Sequence, residues 1–444
     1  MINKIVIIGF LVIIWLVNRD VIAQNTPRPQ NNASQNLQLP RLNYPLLVNK
    51  LYELTGDKLR WFATGYLSAL IKKEFKSRVD SAANIGLQKT KYHFLELEKN
   101  FDRNFLIQDS LAATQMDRIF TDAAITYCKD VYQGSDISKW MMYDEISIKY
   151  EDADNSYLVN KLATIASVND FLVFLNSLEP KSNEYLALKN TMKSKSDSLT
   201  VSEKKQLGTA LNFYRWIQHF NFEKYIIVNI PAATLRYFQS DSLKLKMKLV
   251  VGKPSTRTPR FAAYCNQVIL YPYWNVPSSI AKNELLPKIK HNPKYIDALN
   301  MQLVNSNGQV INPNNVNWSN YSKGYFPFRL RQSTGCDNSL GVIKFDLSSP
   351  FSVYLHDTNY KGAFKSANRF LSHGCIRLEN PVDLANHILF NKIDSKYLEA
   401  CFKNQVSVPL NVVRPVPVFV VYLTAETGAK NDLKFYKDIY GLLK

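Results

Sequence analysis

One cysteine and two histidines lie close together in the last quarter of this 444-residue sequence. Cys375 follows His373 by two residues and His356 by nineteen. A cysteine carries out acyl transfer as a thiolate, so it needs a base within hydrogen-bond reach to take its proton. The chain contains only six histidines and five cysteines, so this clustering indicates a cysteine nucleophile with a histidine base.

The residues around Cys375 predict the elements that hold it. Apolar and polar residues alternate from 351 to 356, which predicts a strand that ends near His356. The Asn-Pro pair at 380–381 predicts the start of a helix. We therefore expect Cys375 in a tight loop between a strand and a helix N-terminus. Gly374 permits a sharp turn there, and successive backbone N–H groups could hold an oxyanion.

Length, composition and charge limit the class of protein. A chain of 444 residues suits two or three domains. The hydrophobic share of 46% and the charged share of 21% exclude disorder of the whole chain. The formal net charge of +18 (55 Lys and Arg against 37 Asp and Glu) indicates either a soluble basic surface or attraction to a polyanion.

The N-terminus has the pattern of a secretory signal. Residues 1–4 are a short basic start, and residues 5–17 are an apolar run too short to span a membrane comfortably. Compact residues at 21–23 fit a cleavage site, so we expect a signal peptide over 1–23, with an uncleaved anchor as the alternative. Residues 24–40, rich in Asn, Gln and Pro, are predicted to be a flexible linker.

Export would place the chain in the periplasm or cell envelope. Nucleic acid is then excluded as the polyanion, and peptidoglycan stems and anionic lipid headgroups are the better candidates. Membrane contact is expected only through the signal peptide or an uncleaved anchor.

An odd number of cysteines leaves at least one thiol unpaired in an exported protein. We expect Cys375 to be that thiol, while the pairing among Cys128, Cys265, Cys336 and Cys401 stays open. No CxxC pair occurs, which excludes a zinc ribbon.

A zinc site made of His356, His373 and Cys375 is conceivable from the residue types. No fourth ligand is evident in the sequence, so we expect neither a metal nor another cofactor.

Hydrophobic periodicity divides the chain in two. From 44 to 195 apolar residues recur at three- and four-residue steps, which predicts helices. From Tyr225 onward, runs of β-branched and aromatic residues bounded by Pro and Gly predict strands. Two further strands are predicted at 408–412 and 418–424, with a break at 414–417.

These patterns predict an α+β chain with a helical domain over 41–200 and a mostly β domain over 201–444. We predict that residues from about 279 to 341 are an insertion in the second domain. Long excursions of this kind are usually lids or binding loops, and a purely structural excursion is the alternative.

The pattern around Cys375 resembles the L,D-transpeptidase catalytic domain of the YkuD type. That family has an upstream histidine and then a Ser/Thr-His-Gly-Cys run, matched here by His356 and residues 372–375. Arg377 fits a common continuation. From about 211 to 441 the chain is similar in particular to YcbB-like murein L,D-transpeptidases, in which a helical scaffold precedes the catalytic domain and the excursion forms a lid.

The resemblance implies a role for each residue near the cysteine. His356 would take the proton from Cys375 and later activate the acceptor amine. The backbone carbonyl of Asp357 would orient the imidazole. The backbone around His373, Gly374 and Cys375 would stabilise the oxyanion.

A second set of residues is expected to bind substrate. Arg377 could pair with a carboxylate of a peptidoglycan stem peptide, bidentately if the geometry permits. Tyr354, Ser372, Trp274 and Asn338 are expected to complete the substrate site.

The function implied is peptidoglycan L,D-transpeptidation. The thiolate would attack the carbonyl of the third residue of a tetrapeptide stem and expel D-alanine, and a side-chain amine of another stem would then form a 3–3 cross-link. Carbapenems are expected to acylate Cys375. Two alternatives stay open: water as acceptor would give an L,D-carboxypeptidase or endopeptidase, and a catalytically silent wall-binding scaffold would also suit the basic charge and the helical half.

Overall fold

The computed structural model describes residues 40–103, 110–401, 405–427 and 432–443. The predicted α+β organisation is confirmed, because helices form the N-terminal half and strands dominate the remainder. The predicted signal peptide and nearly all of the predicted linker lie outside the described residues. None of the helices that the structure describes has the length and apolar character needed to cross a membrane.

The helices of the first half begin and end at polar caps or breaks in the apolar pattern. Ser167, Ser182 and Thr200 each accept a hydrogen bond from the backbone N–H three residues later, which satisfies a donor that the helix leaves free. The helices are α1 (Pro45–Thr55), α2 (Tyr66–Asp80), α3 (Phe94–Asn100), α4 (Ser110–Gln133), α5 (Ile137–Trp140), α6 (Glu151–Ala163), α7 (Val168–Ser177), α8 (Asn183–Ser194) and α9 (Val201–His219).

The strands form one large sheet and two small ones. They are β1 (Tyr143–Asp144), β2 (Lys224–Asn229), β3 (Thr234–Gln239), β4 (Ser242–Gly252), β5 (Phe261–Leu270), β6 (Trp274–Asn275), β7 (Met301–Val304), β8 (Val310–Ile311), β9 (Arg329–Gln332), β10 (Ile343–Leu347), β11 (Leu355–His356), β12 (Phe370–Ser372), β13 (Ile376–Leu378), β14 (Val408–Val421), β15 (Ala425–Thr427) and β16 (Leu433–Phe435).

The large sheet closes into an eight-stranded barrel. Its order is β5-β10-β11-β13-β4-β3-β2-β14, and β14 pairs again with β5, so the barrel has no free edge between these strands. The pairs β11–β13 and β14–β2 are parallel, and the others around the ring are antiparallel. The barrel core is filled by the inward-facing apolar side chains of these strands, with α13 (Pro381–Ile388) packed against it.

Strand β2 is buried on both faces, which explains its nearly continuous apolar sequence. Ile226 and Val228 face the barrel core, whereas Tyr225 and Ile227 face α9 on the outside. Helix α9 also packs against β14, where the ring centroids of Trp216 and Phe419 lie 5.0 Å apart. The predicted domain limits near residue 200 stay a prediction.

Residues 274–332, here called the β6–β9 segment, have a small core of their own. Their sheet has the order β6-β9-β7-β8. The helices are α10 (Ser278–Ile280), a π-helical turn (Ala281–Leu285), α11 (Leu286–His291) and α12 (Tyr295–Ala298). Apolar residues of these elements, including Leu286, Trp318 and Leu330, form a separate cluster.

Two predicted strands differ from the observed ones. The strand predicted over 351–356 is paired only at Leu355–His356. The break predicted at 414–417 is wrong, because β14 runs from Val408 to Val421. A register shift between Asn411 and Val416 absorbs the extra residues as a bulge, so the prolines remain within the strand.

A disulfide joins Cys336 to Cys401, with Cα atoms 5.4 Å apart. It links the turn that precedes β10 to the chain just after α14 (Ser395–Glu399). Cys128 and Cys265 are buried free thiols, and Cys375 is a half-buried free thiol, as expected for the nucleophile.

We expect the double substitution Cys336→Ser with Cys401→Ser to lower the free energy of unfolding by about 2–4 kcal/mol, because the bond closes a long loop in the unfolded chain. Urea unfolding of both proteins measures this. Reducing agent should bring the wild type to the level of the double variant and leave the variant unchanged. Equal stability of the two oxidised proteins would contradict the expectation.

Candidate active site

Three adjacent strands place polar side chains on one face of the barrel wall. Lys344 of β10 is paired directly with His356 of β11, and His356 is paired with Arg377 of β13. Because directly paired residues point to the same side of a sheet, these three side chains form a row. Their strand neighbours Phe345, Leu355 and Ile376 point the other way, into the barrel core.

Cys375 lies at the end of this row, beside Tyr354. The Ile376 N–H donates to the Tyr354 carbonyl at 3.1 Å, which continues the β11–β13 pairing by one step. The Cys375 thiol donates to the Ser352 carbonyl oxygen at 3.6 Å, and the Tyr354 hydroxyl lies close to the sulfur. The Tyr354 and His356 rings lie edge to face, 5.6 Å apart. The structure therefore brings the predicted nucleophile and the predicted base to one site.

His356 is held as a single tautomer. Its side chain is buried, with only 4% of the residue exposed. Its Nδ1 lies within hydrogen-bond distance of the Asp357 carbonyl oxygen, so Nδ1 must carry a proton and Nε2 is the free basic atom. Burial, and then the charge of Arg377, lower the pKa of His356 to about 3. The imidazole is therefore neutral at physiological pH and able to accept a proton.

Asp357 is itself fixed by the turn that precedes β10. Its N–H donates to the Ile343 carbonyl at 2.8 Å, and its carboxylate accepts from the Val342 N–H at 3.0 Å and from Lys361. Gly341 has φ +60°, and a Cβ there would lie 2.3 Å from the Asp357 carboxylate. Only glycine fits at 341, and this close packing determines where the carbonyl that holds His356 lies.

The loop before Cys375 is held by hydroxyl groups. Ser372 Oγ accepts from the Gly374 N–H at 3.1 Å and donates to the Cys375 carbonyl at 2.6 Å. Thr258 donates to the Gly374 carbonyl at 2.8 Å. Gly374 has φ +121°, a conformation that residues with a side chain rarely adopt. These bonds fix the backbone on either side of the sulfur.

The expected position of Cys375 at a helix N-terminus is wrong. The residue lies between β12 and β13, and α13 begins only at Pro381, beyond a complete strand. Asn380 precedes that helix but its side chain makes no capping hydrogen bond. The helix start therefore cannot supply N–H groups to an oxyanion at Cys375.

His373 points away from the row toward the β6–β9 segment. Its Nε2 lies 2.8 Å from a carboxylate oxygen of Glu284, which belongs to the π-helical turn of that segment. Both side chains are partly exposed, at 37% and 47%. The segment therefore contacts the loop that holds Cys375 through these two side chains.

The resting thiol is in its neutral form. Burial raises the pKa of Cys375, while hydrogen bonds from Tyr354 and the charges of Lys344 and Arg377 act in the opposite direction. Burial also raises the pKa of Tyr354 far above its ordinary value, so its hydroxyl remains a donor to the sulfur. A neutral thiol beside a neutral imidazole suits proton transfer at the moment of attack.

The predicted substrate-binding residues separate into two groups. Arg377 and Trp274 belong to the site, because the Arg377 Nε is buried without an acceptor in the described ranges and Trp274 lies close to the Tyr354 hydroxyl. Ser372 and Asn338 are buried, with their side chains bonded to backbone groups. These two residues shape turns and do not present free groups to a ligand.

Sequence reasoning missed Lys344, Glu284 and Thr258. Across the part of the chain that the structure describes, no group of three or more His, Cys, Asp or Glu side chains could hold a metal ion.

Comparison with known protein families agrees with this geometry. Residues 223–418 match YkuD, the L,D-transpeptidase catalytic domain, and residues 47–192 match the Scaffold domain. Two regions of the chain therefore match domains of the L,D-transpeptidase family. This is a cysteine-dependent family of cell-wall enzymes, and the pairing of a scaffold with a catalytic domain is the YcbB-like architecture.

Similar proteins have names consistent with this assignment. A Haemophilus influenzae protein, provisionally named an L,D-transpeptidase, is 31% identical over 312 residues, which are 69% of this chain and 62% of that protein. The chain thus spans less than two thirds of that relative's length.

Solved structures with similarity to this chain include an L,D-transpeptidase from Mycobacterium smegmatis. It is 17% identical, the match covers 45% of this chain and 58% of that one, and the TM-score is 0.22. The catalytic domain of an E. faecium L,D-transpeptidase acylated by ertapenem is 14% identical, with 45% and 97% covered and a TM-score of 0.20.

The lowered pKa of His356 predicts a pH-dependent stability. Between pH 6.5 and about 3 the unfolded chain binds a proton at His356 that the folded chain does not, so stability falls as pH falls through this window. The fall is at most about 1.4 kcal/mol per pH unit. Urea unfolding of wild type and His356→Gln measures it as a difference in slope. Parallel curves below pH 6.5 would contradict it, and above pH 6.5 the curves should run parallel.

Proposed function

We propose that this chain is a peptidoglycan L,D-transpeptidase with Cys375 as nucleophile and His356 as general base. One observation supports this most strongly: Tyr354 contacts both the half-buried thiol and a buried, neutral imidazole whose Nδ1 is bonded to a backbone carbonyl. A cysteine nucleophile needs an adjacent base to take its proton, and His356 is the group placed to do so.

Acylation uses the free Nε2 of His356. As the Cys375 sulfur attacks the third-residue carbonyl of a tetrapeptide stem, Nε2 takes the thiol proton. The carbonyl oxygen becomes an oxyanion, for which backbone N–H groups around Gly374 are the proposed donors. The C–N bond then breaks, and the imidazolium gives its proton to the departing D-alanine amine. Because the pKa of His356 is low, its imidazolium is a strong acid and returns the proton readily.

Transfer to the acceptor reverses these steps. The side-chain amine of a second stem loses a proton to His356 and attacks the thioester of Cys375. The C–S bond breaks, a new peptide bond forms, and the thiolate regains the proton from the imidazolium. The product is a 3–3 cross-link, with no net consumption of acid or base.

Arg377 is the proposed partner of a stem-peptide carboxylate. Its Nε is buried in the site and has no acceptor among the residues that the structure describes, and an anionic group would satisfy it. Trp274 lies beside Tyr354 and is proposed to bound the same pocket. We further propose that the enzyme is exported to the cell envelope, where this substrate occurs, and that carbapenems acylate Cys375.

The β6–β9 segment is the proposed lid. Glu284 of this segment contacts His373, two residues before Cys375. A closed segment would therefore exclude water from the thioester. Exclusion of water favours the amine as acceptor and disfavours hydrolysis, which is the second outcome that the same site permits.

We expect Cys375→Ala to abolish D-alanine release from a disaccharide-tetrapeptide and His356→Gln to lower it about 10²–10⁴-fold, because the general base is lost. Mass spectrometry of the products measures release, dimer and hydrolysed peptide together. Ertapenem should add its mass to the wild type and not to Cys375→Ala. Cys265→Ala, which removes a buried thiol of β5, is the matched control and should keep full activity.

A catalytically silent scaffold predicts a different outcome. Wild-type protein would then release no D-alanine and form neither dimer nor hydrolysed product, although it would still bind peptidoglycan. That result would contradict the proposal that this protein is an enzyme.

The lid proposal predicts a change in product ratio. Glu284→Gln removes the charge that holds His373, so the segment opens more often and water competes better with the amine. We expect the ratio of hydrolysed peptide to cross-linked dimer to rise several-fold at an unchanged fold. Lys282→Gln, on the same helical turn, is the control. An unchanged ratio in Glu284→Gln would exclude a gating role for this ion pair.

A further inference from the structure

Lys344 occupies a position in the active site that the proposed reaction does not use. It is paired directly with His356, and its Nζ lies 4.5 Å from the centroid of the Tyr354 ring. Its side chain is only 20% exposed, and it forms an ion pair of 2.5 Å with Asp346, two residues further along β10. A lysine on the surface of a strand would ordinarily extend into water. The position of Lys344 over the Tyr354 ring therefore needs a physical explanation.

The row formed by Lys344, His356 and Arg377 provides an explanation for this position. Lys344 and Arg377 flank His356 on the two neighbouring strands, so an imidazolium at His356 would have a cation on either side. Like charges at that spacing disfavour the protonated imidazole. A thiolate at Cys375 therefore gains little from His356 as a counter-ion, and the two fixed cations are the alternative source of positive charge.

We propose that Lys344 is a positioning residue that supplies counter-charge to the Cys375 thiolate, acting through the Tyr354 ring that separates them. The ammonium lies over the ring face, where the ring's negative potential attracts it, and the hydroxyl of that ring lies close to the sulfur, to which it can donate. A cation over the ring makes that hydroxyl a better donor. The stabilisation is greatest when the sulfur is negatively charged.

Three strands contribute charged and titratable groups around Cys375, and the loop before it adds His373 with its contact to Glu284. Strand β10 contributes Lys344 and Asp346, β11 with the residue before it contributes His356 and Tyr354, and β13 contributes Arg377. Asp346 is the one anion among the five groups from the strands, and it partly neutralises Lys344. Removing the charge of Lys344 should therefore shift the pKa of the Cys375 thiol in one direction, and removing the charge of Asp346 should shift it in the other.

The test is the pH dependence of alkylation of Cys375 by iodoacetamide, followed by mass spectrometry of the peptide that contains it. Lys344→Met should move the midpoint of the rate to higher pH by about one unit, because one favourable charge near the thiolate is lost. Asp346→Asn should move the midpoint to lower pH. Lys344→Arg should restore the wild-type midpoint, because it keeps the charge and the contact with the ring.

Lys246→Met is the matched control, since Lys246 is an exposed lysine of β4 outside the row, and its midpoint should equal that of the wild type. Thermal unfolding confirms that each variant is folded. A folded Lys344→Met protein with an unmoved midpoint would overturn the proposal. A uniform loss of rate at every pH would also overturn it, because that result indicates a purely structural lysine.

This inference rests on the proposed function, because only an acyl-transfer cysteine has to form a thiolate. Its test is nevertheless separate. Alkylation needs no stem peptide, so an inactive enzyme with shifted midpoints would overturn the proposed substrate alone. An active enzyme with unshifted midpoints would overturn the role of Lys344 alone.

Discussion

The register of β10, β11 and β13 is the constraint on which the active site depends. A slip of one residue in either pairing would turn the polar side chains of the row into the barrel core and expose their apolar neighbours. Burial of each of the apolar side chains Phe345, Leu355 and Ile376 contributes roughly 1.5–3 kcal/mol. The hydrophobic core therefore selects the same register that the chemistry requires, and the catalytic face is the reverse side of a well-packed wall.

The site combines a buried base with a fixed acceptor for its other nitrogen. His356 is buried away from water and lies between Lys344 and Arg377, and both conditions disfavour its charged form. The Asp357 carbonyl compensates in part, because it binds the imidazole in a single orientation. That carbonyl is positioned by the tight packing of Gly341 against the Asp357 carboxylate. Rigid backbone groups, rather than a third acidic side chain, thus hold the base in place.

The sequence was sufficient to predict the fold class and to single out Cys375, His356 and the Asp357 carbonyl, which the structure places in one site, because these follow from local pattern and a family resemblance. The sequence did not predict that Lys344 and Glu284 lie at this site, because their partners there are distant in the chain. Strand pairing between β10 and β11 is a long-range property that local alternation does not specify. The helix predicted after Cys375 was correct, but local pattern could not show that a short strand intervenes. The prolines of β14 indicated a break, whereas the barrel accommodates them in a bulge.

The Cys336–Cys401 bond encloses the nucleophile within its loop, since Cys375 lies between the two partners in the chain. If the five thiols were oxidised in the order in which they are synthesised, Cys128 would pair with Cys265 and Cys336 would pair with Cys375, which leaves Cys401 over. Such a mispaired intermediate would block the catalytic sulfur until Cys401 displaced it by thiol–disulfide exchange. The native bond therefore forms either through that exchange or because Cys375 stays reduced until Cys401 is available.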